Sequence, residues 1–302
     1  MFLVVFEQVQ KFFVYMLIGL TLRKLSVVPK ETAKVLSKLE LNVFLPAVIF
    51  QSCCQNVTLE KLTENGRMMV IAFGVFFLML FVGKIYSRFF VKDDYQKKVC
   101  LYTIAVPNTS YVGTPLVLAL FGGEMLMKML MFTLPLMIYT STVGVRLLTN
   151  EDKISLRSML SPPLFALLGG MLFGLLQIPM PKVVPLVLEG CGNCVAPVAM
   201  ILTGCIIAEF SMKELLGKPM IYWITMLRML IFPGLVLLGA KLLGADQGIM
   251  LMLLLVQTMP TGLNPVIFAA TVDQDCTLGA GMAAVSHTVA LFTIPFLFYL
   301  FY

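Results

Sequence analysis

The stretches AVPNTSYVGTPLVLALF (residues 105–121) and QTMPTGLNPVIFAA (residues 257–270) are two apolar segments that proline interrupts. Proline lacks a backbone N–H and clashes with the carbonyl four residues earlier, so two prolines within nine residues predict an opening in the helix. Open backbone at bilayer depth is tolerated only where it is buried in protein or lines a watery cavity. Matching interruptions in the two halves of a chain therefore predict a binding site near the middle of a membrane.

The composition of the whole chain indicates a membrane protein. Hydrophobic residues make up 59% and charged residues 13% of the 302 residues, whereas soluble domains average about 25% charged residues. We expect no cleavable signal peptide, because the first apolar run contains Glu7, Gln8 and Lys11 and no small-residue cleavage site follows it. The net charge of +6 comes from cations in short loops, which argues against nucleic-acid binding.

Apolar runs of about 20 residues, long enough to cross a bilayer, recur along the chain. We predict ten transmembrane helices, at residues 3–22, 40–55, 68–87, 98–121, 126–147, 161–178, 184–208, 219–243, 248–271 and 277–301. The second run is short, so we expect it to be tilted, bent at Pro46 or packed inside the protein. The loops after spans 1, 3, 5 and 7 hold fifteen Lys and Arg residues, against five in the opposite loops. By the positive-inside rule, both termini are expected on the extracytoplasmic side of the cell membrane.

The two halves of the chain resemble each other. Aligning LNVFLPAVIFQSCC (residues 41–54) with GNCVAPVAMILTGC (residues 192–205) superposes Pro46 on Pro197, an offset of 151 residues, and Pro107 and Pro260 repeat at a similar offset. Two successive units of five helices must enter the membrane from opposite sides, which makes an inverted repeat. The predicted fold is an all-α polytopic membrane protein with broken helices 4 and 9. Its units are residues 1–148, a short cytoplasmic linker at 149–160, and residues 161–302.

Pro107-Asn108-Thr109 is followed by Gly113 and Pro115, which gives the pattern P-N-T-x-x-x-G-x-P. This pattern resembles the crossover of the auxin efflux carrier family, which includes plant PIN proteins and bacterial malate and malonate permeases. Further matches are Pro260, Gly262 and Pro265 to its P-x-G-x-x-P, and Leu45-Pro46-Ala47 and the FPG at 232–234 to its second and eighth spans. The resemblance covers nearly the whole chain.

This resemblance implies a ten-helix fold of the sodium/proton-antiporter type, with a scaffold domain, a mobile crossover domain and alternating access to an organic-anion substrate. The long central loop of the plant proteins is absent here. Thr261 stands where the plant pattern often has Gln, and Asn264 where it often has an aliphatic residue. These departures favour a small carboxylate, such as malate or malonate, over an indole carboxylate.

Polar residues and prolines at the two interruptions form the predicted substrate site. Asn108, Thr109 and Ser110 follow Pro107, where the N–H groups of a new half-helix can bind an anion, and Asn264 offers the symmetric contact. The alternative is that these side chains only satisfy backbone groups that the prolines leave free. The complete predicted set is Pro107, Asn108, Thr109, Ser110, Gly113, Pro115, Pro260, Thr261, Gly262, Asn264, Pro265 and Arg228, with the repeat-related Pro46 and Pro197.

Three ionisable residues of the predicted spans are candidates for charge recognition or proton relay. Arg228, inside the eighth span, either pairs with a dianionic substrate or binds a helix-end carbonyl. His287, the single histidine, either relays protons or packs through hydrogen bonds. Glu189 is either a proton gate or a solvated carboxylate at the interface. No Asp or Glu lies in the two interrupted stretches, so coupling to a proton or a sodium ion stays open.

Missing motifs disfavour other functions. Cys191 and Cys194 form a C-x-x-C without a second pair or a nearby histidine, so we expect neither a metal site nor redox chemistry. No phosphate-binding loop or nucleophile motif occurs, so we expect no enzymatic activity and no cofactor. The expected partners are an organic anion, the lipid bilayer and a second copy in a homodimer. The alternative is a non-transporting ligand sensor or lipid-binding protein on the same fold, but no hydrophilic segment is long enough for a signalling domain.

Overall fold

The computed structural model describes residues 2–149, 161–272 and 274–302, and within these ranges every regular element is a helix. Six helices are apolar and long enough to cross a membrane: Phe2–Lys24, Gly66–Phe90, Thr109–Phe132, Val183–Ala208, Pro219–Leu242 and Thr277–Phe301. The prediction of an all-helical, multi-pass membrane protein is confirmed. The count of ten spans and their inverted arrangement stay predictions. Residues 150–160 of the predicted linker lie outside the described residues.

Seventeen α-helices follow one another in the described ranges. They are α1 (Phe2–Lys24), α2 (Thr32–Leu39), α3 (Leu45–Asn56), α4 (Leu59–Glu64), α5 (Gly66–Phe90), α6 (Asp94–Ala105), α7 (Thr114–Phe132), α8 (Leu134–Tyr139), α9 (Val145–Thr149), α10 (Pro162–Leu175), α11 (Val183–Ala208), α12 (Met212–Leu216), α13 (Pro219–Met226), α14 (Phe232–Leu242), α15 (Gln247–Gln257), α16 (Asn264–Thr271) and α17 (Thr277–Phe301). Four π-helical turns extend or join them: Glu40–Phe44, Thr109–Gly113, Thr140–Gly144 and Leu227–Ile231.

Three of these π-helical turns end two residues before a proline. Glu40–Phe44 precedes Pro46, Thr109–Gly113 precedes Pro115, and Leu227–Ile231 precedes Pro233. A π turn holds one extra residue, which makes room for a proline ring that would otherwise clash with the preceding turn. Helices α2 and α3 therefore run as one element from Thr32, well before the start predicted for the second span.

The π-helical turns also show which proline opens the first interrupted stretch. Its two prolines predicted an opening, and Pro115 is not at that opening, because it lies in the first turn of α7, directly after the π turn. Within this stretch only residues 106–108 leave the helical conformation; directly after it, α7 is kinked at Gly122, whose φ is 78°. In the second stretch, Pro265 likewise lies in the first turn of α16, where a missing N–H costs no hydrogen bond. Pro107 and Pro260 are thus the prolines of the open backbone.

Glycine permits the close approach of two helix pairs, α1 with α11 and α3 with α10. A Cβ on Gly204 of α11 would meet the carbonyl oxygen of Met16 in α1. A Cβ on Gly170 of α10 would lie 2.7 Å from the carbonyl oxygen of Phe50 in α3. Small residues let helix backbones approach closely in membranes, where helix association is driven by van der Waals packing and not by the hydrophobic effect. The contacts α1 with α11 and α3 with α10 therefore form a tightly packed part of the molecule.

The two interrupted segments meet inside the protein. Pro107 and Thr261 form an isolated antiparallel bridge, and the Asn108 N–H donates to the carbonyl oxygen of Pro260 at 2.8 Å. Buried peptide groups must find partners, and at these breaks part of the requirement is met by the opposite segment. The first break thereby lies directly against the second.

Candidate functional site

A cavity of about 210 Å³ lies beside the paired breaks. Its wall includes residues 107–111 from the first break and 262–264 from the second, together with residues 161–163 at the start of α10. Six of the predicted substrate residues line it, namely Pro107, Asn108, Thr109, Ser110, Gly262 and Asn264. The remaining predicted residues lie outside its wall: Gly113, Pro115, Pro260, Thr261, Pro265, Arg228, Pro46 and Pro197.

Asn108 caps the helix that starts after the first break. Its Oδ1 accepts a hydrogen bond from the Tyr111 N–H at 3.1 Å, and its Nδ2 lies 3.3 Å from Nε2 of His287. The cap fixes the orientation of the amide, so Nδ2 is the donor towards the histidine. Because an amide nitrogen carries two N–H groups, one of them stays available to a ligand in the cavity.

His287 orients the Asn108 amide through a hydrogen bond. The Nδ1 atom of His287 lies 2.8 Å from the carbonyl oxygen of Ala283, and a carbonyl can only accept, so Nδ1 carries the proton. Nε2 is then the acceptor for the Asn108 amide. Both ring nitrogens of the neutral imidazole are paired, and the side chain is buried. This geometry agrees with a histidine that packs through hydrogen bonds.

Asn264 occupies the corresponding place at the second break, as the first residue of α16. Its Nδ2 donates to the hydroxyl of Tyr102 at 2.6 Å. Tyr102 is fully buried in α6, so the amide is held by a rigid partner. As with Asn108, the second N–H of the amide nitrogen is left for a ligand. The two asparagines thus come from different halves of the chain and line one cavity.

Thr261 connects the second break to α17 through hydrogen bonds. Its backbone N–H donates to Oγ of Ser286 at 3.1 Å, and the two side-chain hydroxyls lie 2.8 Å apart. Both residues are buried. These bonds satisfy backbone that the break leaves open, which is the structural role weighed above for polar residues beside the prolines.

Arg228 is fully buried and lies away from the cavity wall. Its Nη1 donates to the carbonyl oxygen of Gln257 at 2.8 Å. Gln257 is the last residue of α15, and the carbonyls of a final helical turn have no partner within their own helix. Arg228 therefore neutralises the negative end of the half-helix that leads into the second break.

Charged side chains are absent from the described wall of the cavity. Glu189, the other predicted proton-relay candidate, is exposed on α11. The polar character of the site comes from amides, hydroxyls and the ends of helices. Such a site can recognise a negative charge through dipoles and N–H donors without burying a cation.

Hydroxyl groups of the opposite wall were not among the predicted residues. Thr133, Thr140, Ser141 and Ser161 line the cavity, and the hydroxyl oxygens of Ser141 and Ser161 lie 3.2 Å apart. Thr133 and Thr140 are seven residues apart, a spacing that returns to one helix face. That spacing within an apolar span was the available signal, whereas the partner residues Tyr102 and Ser286 give no local signal.

Comparison with known proteins agrees with these observations. The model of a family described as "Membrane transport protein" matches residues 4–155 and 148–298. An uncharacterized transporter of Methanothermobacter thermautotrophicus is 23% identical over 294 residues, covering 96% of each chain. An uncharacterized transporter of Methanocaldococcus jannaschii is 22% identical over 300 residues, covering 93% of this chain and 94% of its own. The chain belongs to the membrane transport protein family, which is that of the auxin efflux carriers.

Proposed function

We propose that the protein is a secondary carrier of small organic anions, with malate and malonate as representative substrates, that works by alternating access around the paired breaks. One observation supports this above all. Two helical segments, Thr109–Phe132 and α16, begin at the same cavity, each with an asparagine at its start. Helix N-termini attract anions, so two of them at one cavity suit a carboxylate.

The size of the cavity favours a small substrate. Pockets for drug-sized ligands usually measure about 300–1,000 Å³, and this one measures about 210 Å³. A dicarboxylate of three or four carbons is the better match, and an indole carboxylate is the poorer one. Ser141 and Ser161 share one hydrogen bond between their hydroxyls, so the second of these two O–H groups can donate to another carboxylate across the cavity.

Packing of the glycine-rich helices supports the inverted repeat. In the predicted repeat α1 corresponds to α10, and α3 corresponds to α11. The contact of α1 with α11 is then the counterpart of the contact of α10 with α3, and both depend on glycine. A two-fold axis in the membrane plane would generate one pair from the other. We propose that these four helices form the scaffold and that the interrupted helices move against them.

Charge distribution supports an orientation for the carrier in the cell membrane. The cavity wall extends to Val145 and Ser161, which flank the linker predicted to be cytoplasmic. With both termini on the extracytoplasmic side, as the positive-inside rule predicts, the cavity belongs to a cytoplasm-facing state.

In this proposal His287 positions the Asn108 amide, and Arg228 caps the C-terminal end of α15.

Uptake by proteoliposomes tests the proposed function. Purified protein is reconstituted and presented with radiolabelled malonate, malate or an indole carboxylate, with and without sodium and a pH gradient. We expect saturable uptake of a dicarboxylate, absent from protein-free vesicles and strongly reduced by Asn108→Asp. Binding of the same anions without uptake would favour the alternative, a membrane ligand sensor, and neither binding nor uptake of any carboxylate would refute an organic-anion site.

A further inference from the structure

Glu40 is a carboxylic acid enclosed within the helical bundle. It begins the π-helical turn Glu40–Phe44, and its side chain is 0% exposed. Neither carboxyl oxygen has a hydrogen-bond partner among the described residues. An ionised carboxylate in such a place would carry an unpaired charge at a large cost in free energy. The protonated form avoids this cost.

The elements that the structure describes around Glu40 bring no positive charge to it. Helices α10 and α11 pack against its turn; the sequence of α10 contains no ionisable side chain, and that of α11 contains Glu189 and three cysteines, Cys191, Cys194 and Cys205, but no Lys or Arg. Lys34 and Lys38 of its own helix are exposed. None of the described ion pairs includes Glu40.

One aromatic residue connects Glu40 with the cavity. The phenol of Tyr111 lies beside Ser37 and within electrostatic reach of the Glu40 carboxyl. Tyr111 and Leu41, the neighbour of Glu40 in the chain, both line the cavity. Tyr111 also donates its N–H to the cap on Asn108. The carboxyl therefore lies one side chain away from the proposed anion site.

We propose that Glu40 is the proton-binding site of the carrier and that one proton crosses the membrane with each anion. This proposal rests on the proposed function. An anion in the cavity disfavours a second negative charge nearby, so the loaded, closed carrier holds Glu40 as the neutral acid. When the conformational change lets water reach the carboxyl, the O–H bond breaks, the proton passes to water and the carboxylate remains. A proton from the other side restores the acid before the next cycle.

Chemical labelling tests the proton site without any substrate. Dicyclohexylcarbodiimide reacts with carboxylic acids that are protonated in apolar surroundings. We expect mass spectrometry of the reconstituted full-length protein to find the adduct on Glu40, with labelling that falls as the pH is raised. Glu40→Gln, which imitates the neutral acid, removes that adduct and keeps the fold, whereas the exposed control Glu189→Gln leaves it in place. Protein that is labelled elsewhere but not at Glu40 would overturn the proposal.

Transport then tests the coupling. Malonate uptake is measured with the membrane potential held at zero by potassium and valinomycin. If one proton accompanies each anion, a gradient of one pH unit drives about a tenfold accumulation. In Glu40→Gln we expect this dependence to disappear while exchange of labelled for unlabelled malonate continues. Malonate accumulation by the wild-type protein that does not depend on the pH gradient would overturn the proposed coupling. Failure of wild-type protein to move malonate or malate would refute the proposed function, and labelling would still decide the protonation of Glu40.

Discussion

At the scale of single residues, Asn108 combines a structural task with a proposed binding task. Its oxygen caps the Tyr111 N–H while its nitrogen faces His287 and keeps one N–H for a ligand. The sequence predicted a donor at this position from the proline that precedes it. It named His287 as a candidate but did not predict its contact with Asn108, because the two residues lie 179 positions apart in the chain and so distant a contact leaves no local pattern.

Substitution of Asn108 separates donor loss from added charge. Asn108→Ala removes a hydrogen bond to a charged ligand, which is worth about 1.5–3 kcal/mol, and we expect roughly a ten- to hundred-fold loss of affinity. Asn108→Asp keeps an oxygen for the cap but places like charge beside the substrate, so we expect still weaker binding. Asn264 should follow the same order less steeply. Isothermal titration with malonate measures the affinities of the Asn108 and Asn264 variants. Unchanged affinity in both Asn108→Ala and Asn264→Ala would show that the anion does not bind at the breaks.

For Arg228 we expect a loss of stability without a loss of affinity. Its hydrogen bond to the end of α15 is charge-assisted, and bonds of this type contribute about 1.5–3 kcal/mol. Arg228→Gln removes the charge, and Arg228→Lys loses the planar guanidinium. Thermal unfolding and malonate affinity are measured on the same preparations. A normal unfolding temperature with weakened binding would instead show that the guanidinium contacts the dianion.

At the scale of secondary-structure elements, the prolines show how far sequence reasoning reaches. In the two interrupted stretches, proline chemistry correctly indicates that one regular helix cannot continue, but it does not choose between a break and a π-helical turn. Pro107 and Pro260 lie in breaks that pair with each other, whereas Pro115 follows a π turn inside a helix. The choice depends on whether a neighbouring segment can satisfy the freed peptide groups, and this is a property of tertiary structure.

This difference predicts unequal effects of two proline substitutions. In Pro107→Ala, α6 can extend towards α7, so the paired backbone at the cavity is lost and transport falls while the protein still inserts. In Pro115→Ala, we expect a smaller effect, because this proline lies within a helix already. Uptake rates at matched protein levels decide the matter. Normal kinetics in Pro107→Ala would show that the break is not required.

Helix packing gives a second prediction at this scale, with a control on the same helix. A Cβ at Gly204 collides with the backbone of α1, whereas a Cβ at Gly190 meets nothing within 4 Å. Overpacking a tight contact typically costs about 1–3 kcal/mol, so Gly204→Ala should lower thermal stability markedly. Gly190→Ala should be neutral or slightly stabilising, since alanine favours helix over glycine. Equal stabilities of the two variants would contradict the close approach of α1 and α11.

At the scale of the whole molecule, composition and hydropathy were enough to predict a helical membrane protein, because a lipid solvent leaves few ways to satisfy the backbone. The segments in which the chain opens were also predicted. The cavity's opposite wall, the partners of the two asparagines and the enclosed Glu40 were not. They depend on how helices from distant parts of the chain pack. The spacing of Thr133 and Thr140 indicates a shared helix face, but no local pattern shows what that face contacts.

Access to the cavity gives the last prediction. Ser110 is exposed and lines the cavity, whereas Ser286 is buried behind Thr261. With the seven native cysteines replaced by serine, Ser110→Cys should react with a membrane-impermeant thiol reagent. We expect faster labelling in inside-out vesicles than in right-side-out vesicles, because the cavity wall reaches the predicted cytoplasmic linker. Malonate should slow this reaction, and the control Ser286→Cys should stay unlabelled from both sides. Faster labelling from the extracytoplasmic side would reverse the orientation, and no labelling of Ser110→Cys from either side would show that water does not reach the cavity.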